Sequence, residues 1–532
     1  MFPTSREHRP PGGPAPTSWS ARVTQPTLSL VDSDPAELTV DAIVIGLHSQ
    51  PDQDGALLPA SGAESIAAAF DGRLTATLAL LGATGAPGEV TKLATLGTIT
   101  APLVVAVGLG DEPSGSAPDL ETLRRGAGAA VRALAGSTRV ALALPVPDDA
   151  DAPAVLRATL EGALLGGYRF AGYKTKPQKG HREPVAELQV HVPDAADEAA
   201  TAELTRAAVV GRAVRLARDW VNMPPNELRP AGFADRIAAE ATKAGLDVEV
   251  LDFDQLKAGG YGGIVAVGQG SEAPPRLVKL TYAPEGVAEP KRVALVGKGI
   301  TFDTGGVSIK PAAGMWEMKS DMAGAAAVAA AMLAVAALKP GVAVSGYLAI
   351  AENMPSGSAY RPGDVITMFN GKRVEVFNTD AEGRMVLGDA IARACADGTD
   401  YVFEASTLTG GQVISLGKRI SGLMGSAEAI ALVQAAGDAV GEPAWPMPLP
   451  DDVRKGMESE IADICQTNAN LDRAGHMLQG GVFLREFVEP GVEWAHIDIA
   501  GPGYHAGEPT GYWTKGGTGV PIRTLLRVVE TL

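Results

Sequence analysis

Cysteine is almost missing from this chain. Cys395 and Cys465 are the only two, too few for a disulfide framework or a zinc–thiolate site, so a reduced, cytoplasmic setting is the default expectation. Aromatic residues reach only 5% while Ala and Gly are abundant, which predicts helices packed closely through small side chains. Long hydrophobic runs are scarce. The one uncharged run, residues 322–338, is mostly Ala and falls short of the ~20 strongly apolar residues that a membrane span needs, so a buried helix and no membrane contact are expected. Positive charge is in deficit, with 45 Lys and Arg against 62 Asp and Glu and a net charge of −17. That argues against a nucleic-acid partner, which needs clustered Lys and Arg, though it says nothing against a local basic patch. A secretory signal is lacking too: residues 1–26 hold six prolines and no apolar stretch, and a disordered N-terminal arm is expected.

What is present is a folded α/β protein. At 532 residues, with 46% hydrophobic and 20% charged residues, the chain exceeds one ordinary core and two domains are expected. Residues 27–193 alternate short apolar strands (42–46, 103–108, 140–144) with helical stretches such as 120–134, the pattern of a smaller α/β domain with a mostly parallel sheet. The Gly-Leu-Gly at 108–110 lacks dinucleotide-fingerprint spacing and reads as a strand-end turn. Residues 194–220 read as a linker helix, stopped by Pro224 and Pro225 because proline cannot continue a helix. Residues 221–532 then form a larger catalytic α/β domain, expected to have a central mixed sheet flanked by helices.

The chemistry concentrates in two loops of that domain. Residues 374–377 alternate as a strand, residues 385–396 favour a helix, and between them lie Asp380, Glu382, Gly383 and Arg384, at a strand's carboxyl end where α/β folds bind ligands. A second strand, 293–296, runs into GKGITFDTGG, which brings Lys298 and Asp303, with Lys310 following. A phosphate loop is set aside because the GxxxxGK[ST] spacing is absent and no helix follows directly. Taken singly, each residue has an ordinary reading. Asp380 and Glu382 could be solvated loop acids, Lys298 and Lys310 surface lysines, Asp303 a turn anchor, and Asp321 a helix N-cap. Taken together they are harder to dismiss. Four carboxylates in one cleft raise each other's pKa unless cations neutralise them. Two divalent metals ~3.5–4 Å apart would do so, and oxygen-rich ligation suits Mn²⁺, Mg²⁺ or Zn²⁺. A third loop, residues 406–411 after the strand 401–405, could wall a substrate site.

GKGITFDTGG with Lys310, then MKSDMAGAAAV, ENMPSGSAYRPGD and NTDAEGRMVLGDA, together resemble the cytosol leucyl aminopeptidase family, densely over residues 222–519. Thr304 and Met385 stand where Ser and Leu are usual; neither is a ligand position. The resemblance implies one metal held by Asp303, Asp380 and Glu382 and a second by Lys298, Asp303, Asp321 and Glu382, the ions being Mn²⁺ or Zn²⁺. It implies Lys310 and Arg384 as the catalytic pair. Arg384 would hold a bicarbonate-like anion as general base, and Lys310 would meet the oxyanion. Met318, Thr407, Leu408 and Gly410 would line the pocket for the first side chain. The activity implied is removal of N-terminal residues, Leu and other apolar ones preferred, from peptides with a free N-terminus by a metal-bridged hydroxide, in a homohexamer built as a dimer of trimers.

Three other readings stay open: a Cys-Gly dipeptidase of glutathione turnover, a DNA-binding accessory role, and an inactive structural hexamer. The acidic balance argues against the second and the intact ligand set against the third. His496 and Asp498 are expected to be structural, Asp389 a helix-face acid and Glu404 a sheet-edge acid. Residues 511–519 read as a loop near the site or as a subunit contact.

Overall fold

The computed structural model describes residues 25–50, 56–112, 119–147, 151–176, 179–472 and 474–532; most of the expected N-terminal arm lies outside them. Two α/β layers follow one another. The first is built on a seven-stranded sheet in which Thr27–Val31, Glu187–His191, Arg139–Ala143, Ala42–Gln50 and Leu103–Asp111 run parallel. Val90–Ala94 and Ala56–Pro59 add antiparallel edges. The sheet is mostly parallel, as its unbroken Val/Ile/Ala strands require when both faces are covered.

The second layer is an eight-stranded mixed sheet. Its centre is four parallel neighbours, Glu493–Asp498, Tyr401–Ser406, Arg292–Asp303 and Ala343–Asn353, with antiparallel strands outside them. Along Arg292–Asp303 the side chains alternate in the period of two that a strand imposes. Val293 and Leu295 enter the core on one face, Ala294 and Val296 the core on the other. Helix Ala323–Leu338 covers the first face and helix Glu382–Ala396 the second.

The Ala-rich run is that first helix. The stretch Met315–Leu338 is long and apolar enough to cross a membrane, yet 78% of its most apolar window is buried inside the fold. Small residues let it approach closely: a Cβ on Gly324 would lie 2.0 Å from the Ala405 carbonyl oxygen of the neighbouring strand. Helix Glu198–Asn222 packs on Ala152–Gly166 of the first layer and on Ala323–Leu338 of the second, and so ties the two together.

Four expectations need correction. The strand beginning at Arg292 does not stop at 296 but runs to Asp303, carrying Lys298 and Asp303 on one continuous strand. The strand before Asp380 is only Arg373–Glu375 and belongs to a three-stranded side sheet, because Val365–Thr367 and Ile464–Cys465 pair with it rather than the central strands. Glu404 is no sheet-edge acid: it lies on a central strand, fully buried against His496. Asp389 is no exposed helix-face acid either, being fully buried and accepting hydrogen bonds from the Ile264 and Phe369 amides.

Candidate metal centre

The carboxyl ends of the central strands converge, and the candidate residues converge with them. Arg292–Asp303 ends beside Ala343–Asn353 with Asp303 opposite Asn353. The short 3₁₀ segment Met315–Ser320 delivers Asp321, and Glu382 is the first residue of its helix. Carboxylate oxygens of Asp303, Asp380 and Glu382 lie within 4.8 Å of one another.

Two lysines thread this cluster. Lys298 Nζ is 2.8 Å from Asp321 Oδ1 and 2.9 Å from Glu382 Oε1, and donates to the Thr407 carbonyl at 3.1 Å. Lys310 Nζ lies 2.7 Å from Asp303 Oδ2 and 2.6 Å from Asp380 Oδ1. Gly383 makes room for the first of these, since a Cβ there would meet Lys298 Cε at 2.5 Å. The ordinary readings mostly fall away. Lys298 and Glu382 are buried rather than solvated, although the Asp380 side chain keeps 32% exposure. Met322, not Asp321, occupies the N-cap position of its helix, and Asp321 Oδ1 instead accepts from Lys298 and, at 2.7 Å, from Thr407 Oγ1. Asp303 does anchor its turn, accepting from the Gly305 amide at 2.9 Å.

The electrostatics follow from burial. Desolvation pushes Asp303 up to about 6 and Asp321 up to about 8, with Glu382 adding like-charge repulsion to both. Burial also raises Asp380. For Glu382 the two lysines outweigh burial and hold it below the usual range. Burial disfavours the Lys298 and Lys310 ammoniums, but the surrounding carboxylates overcome it and raise both. Four carboxyl groups face only two ammonium groups, so the cluster cannot ionise fully without leaving two negative charges uncompensated. Asp321 Oδ2 and Glu382 Oε2 are buried and have no hydrogen-bond partner among the described residues. Buried acceptors of this kind are costly, and an all-oxygen surplus of negative charge fits hard divalent cations. Neither cysteine belongs to the cluster; burial and Glu375 push the Cys465 thiol up to about 11.

The remaining candidates sit around this core. Arg384 is buried; its Nη1 donates to the Gln466 carbonyl at 2.7 Å, and burial pulls its guanidinium down to about 10. Its Nε has no partner among the described residues. Thr407 and Leu408 are half-buried, Gly410 is exposed at the first turn of Gly410–Leu416, and Met318 is half-buried on the segment leading to Asp321. His496 pairs with Glu404, while Asp498 accepts from Thr409 Oγ1 at 2.7 Å and from the Leu408 amide at 3.2 Å. Asp498 therefore holds the loop at Leu408 and Thr409 from beneath.

Several residues with a place here escaped the sequence. Asn353 Nδ2 donates to Asp303 Oδ1 at 2.8 Å and to the Thr379 carbonyl at 2.9 Å, locking two candidate-bearing loops together. Tyr360 donates to the same Thr379 carbonyl at 3.0 Å, and Gln466 Nε2 to the Ala381 carbonyl at 2.9 Å. Gly503 faces the Thr407 methyl. Asn353 and Tyr360 lie inside the ENMPSGSAYRPGD motif, which was the available signal; Gln466 and Gly503 had none.

Comparison with known proteins adds the family. Residues 215–526 match the model of the cytosol aminopeptidase family catalytic domain, and residues 44–177 that of its N-terminal domain. The chain is 50% identical to a probable cytosol aminopeptidase of Streptomyces avermitilis over 94% of its own length and 98% of the relative's. It is 48% identical to one from Micrococcus luteus, covering 93% and 96%. Among solved structures it resembles the bottromycin maturation enzyme BotP in complex with Mn, with TM-score 0.80, 36% identity and coverage of 92% and 99%. It also resembles a tomato leucine aminopeptidase variant, with TM-score 0.85, 28% identity and coverage of 96% and 98%. With its acidic centre and both domains accounted for, the chain belongs to the cytosol aminopeptidase family and is a metal-dependent peptidase.

Proposed function

We propose that this aminopeptidase removes Leu and other apolar N-terminal residues from peptides, using two divalent ions held by Lys298, Asp303, Asp321, Asp380 and Glu382. The observation that carries the reading is the buried surplus of carboxylate charge around Lys298 and Lys310, with acceptor oxygens left over. Bound divalent ions would supply Lewis acidity toward the scissile carbonyl and lower the pKa of an attacking water. BotP, with its Mn, makes Mn²⁺ a natural first choice for reconstitution, with Zn²⁺ the second.

The chain's own groups supply the rest. Lys298 would act as a neutral ligand and must give up the proton that Asp321 and Glu382 now favour. Lys310, already an ammonium at the edge of the cluster, would meet the negative charge that develops on the carbonyl oxygen. Arg384 would hold the bicarbonate-like anion that serves as general base; a buried guanidinium with a free Nε and no carboxylate partner among the described residues supports this. Met318, Thr407, Leu408 and Gly410 would form the wall around the first side chain. One methylene is worth only about 1–3 kcal/mol in such a pocket, so selectivity among apolar residues is broad. A division into 27–193, a linker helix 194–220 and a catalytic unit 221–532, a hexameric assembly and a cytoplasmic setting complete the proposal.

The substrate's free amine is its anchor, and acetylation ties up that lone pair in an amide. Leucine anilide and Leu-terminated dipeptides are expected to be cleaved by the Mn²⁺-loaded protein, and their N-acetyl forms to be inert, the loss falling on kcat/KM. Comparable rates on acetylated and free substrates would overturn the amine anchor. A Cys-Gly rate far above that of Leu dipeptides would point to the glutathione-turnover alternative.

A further inference from the structure

A cavity of about 610 Å³ opens between the two layers of the fold. No candidate metal ligand lines it, nor do Met318, Thr407, Leu408 or Gly410. Its wall carries Arg132, Arg169, Arg182, Lys319 and Lys515 and, among the described residues, no Asp or Glu. That is a reversal of the chain's overall balance of 62 acidic to 45 basic residues.

These cations lean on main-chain carbonyls. Arg132 donates to the Gly511 oxygen, Arg169 to that of Arg182 at 3.0 Å, and Lys319 to that of Asn222 at 3.1 Å. Burial draws Arg132 below its ordinary value with no carboxylate to offset it. An anion seated among them would supply the missing counter-charge.

Rings share the wall with the charges: Tyr168, Phe170, Trp316 and Tyr504. Trp316 is 57% exposed. The back of the cavity is preformed: Tyr168 donates to Asp219 Oδ1 at 2.7 Å, accepts from Asn222 Nδ2 at 3.1 Å, and has Arg215 and Arg218 against its ring at 5.6 and 5.3 Å. Flat apolar faces next to cations suit a ring that bears a negative group. The volume is that of a small-molecule site, within the range of roughly 300–1,000 Å³.

We propose that this cavity between the layers binds a small organic anion, a planar ring carrying a phosphate or a carboxylate. The site shares no lining residue with the peptidase centre and does not rest on the proposed specificity.

The test is calorimetric titration of the full-length, Mn²⁺-loaded protein with adenosine 5′-monophosphate and with hippurate, which has no free amine, and with inorganic phosphate alone. Wild type is compared with an Arg169→Gln/Lys515→Gln double variant. Both side chains are exposed, so the fold tolerates the change, and unaltered turnover without ligand verifies it. At least one ring-bearing anion is expected to saturate at one site per chain, at least tenfold more tightly than phosphate, and to weaken at least tenfold in the double variant. The tighter of the two probes identifies phosphate or carboxylate as the charged group. Three outcomes would overturn the assignment: no saturable binding of either probe, phosphate binding as tightly as both, or equal affinity in wild type and variant. The last would mean that Arg169 and Lys515 do not hold the anion.

Discussion

Lys298 is an amine asked to do two things. In the protein alone it is an ammonium clasped by Asp321 and Glu382, and as a metal ligand it would be neutral. The carboxylates around it would therefore control both its proton and any cations that take that proton's place. Asp380→Asn or Glu382→Gln removes one negative charge from that set, and both metal content and turnover are expected to fall together. Lys310→Ala is expected to behave differently: metal content retained, with kcat down by about 10²–10³, the loss typical of one donor to a developing oxyanion. Elemental analysis beside steady-state kinetics separates the two classes. An Asp380→Asn protein with wild-type metal content and rate would refute the ligand assignment. Asn353 is a positioning residue in the same scheme, since it touches Asp303 without belonging to the cluster.

Helix Glu382–Ala396 works as an element because it is tied at its start and at its middle. Its first residue is in the cluster, and two turns later Asp389 takes the Ile264 and Phe369 amides at 2.9 and 2.8 Å. Full burial pushes the Asp389 carboxyl up to about 7, against the opposing pull of those amides. A carboxyl whose folded value lies above its unfolded one, ~3.9, binds its proton more tightly in the native state. The stability it contributes is therefore fully present below about pH 4 and is lost as pH rises through about 7. Asp389→Asn is expected to remove that part of the pH dependence. Its amide NH₂ would also face a backbone donor, destabilising the fold by roughly 1–3 kcal/mol. Denaturant melts of both proteins from pH 4 to 8 check this; parallel profiles would mean that Asp389 does not titrate in that window.

At the scale of the molecule, the C-terminal segment 511–519 turns out to be a strut within the chain. Tyr512 packs on Gly128 and bonds Glu121 at 3.1 Å, Arg218 holds the Thr518 carbonyl at 2.9 Å, and Gly517 donates to Asn222 at 3.0 Å. It joins the first layer to helix Glu198–Asn222, which also packs on the second layer, so the two layers are fixed relative to each other. A rigid two-layer chain is a suitable unit for closed symmetric assembly. Light scattering is expected to give six times the chain mass, and a fully active monomer would contradict the hexamer.

Local sequence was enough for much of this. Uninterrupted apolar strands and an Ala-rich helix have no soluble solution except burial on both faces of a sheet, so the α/β class and the buried helix 323–338 followed from composition and period alone. The clustering of Asp303, Asp321, Asp380 and Glu382 was legible because each stands at the edge of a recognisable element and within a family motif. Contacts between distant segments were not legible. That Lys298 lies on a continuous strand, that Asp389 and Glu404 are buried, and that Asn353 and Gln466 tie the loops together depend on what packs opposite them. A polar side chain carries no mark of its own burial; its partner, found tens of residues away, decides whether it is solvated, structural or part of a site. The same holds for the basic cavity, whose cations come from segments hundreds of residues apart and become a site only when the two layers close on each other.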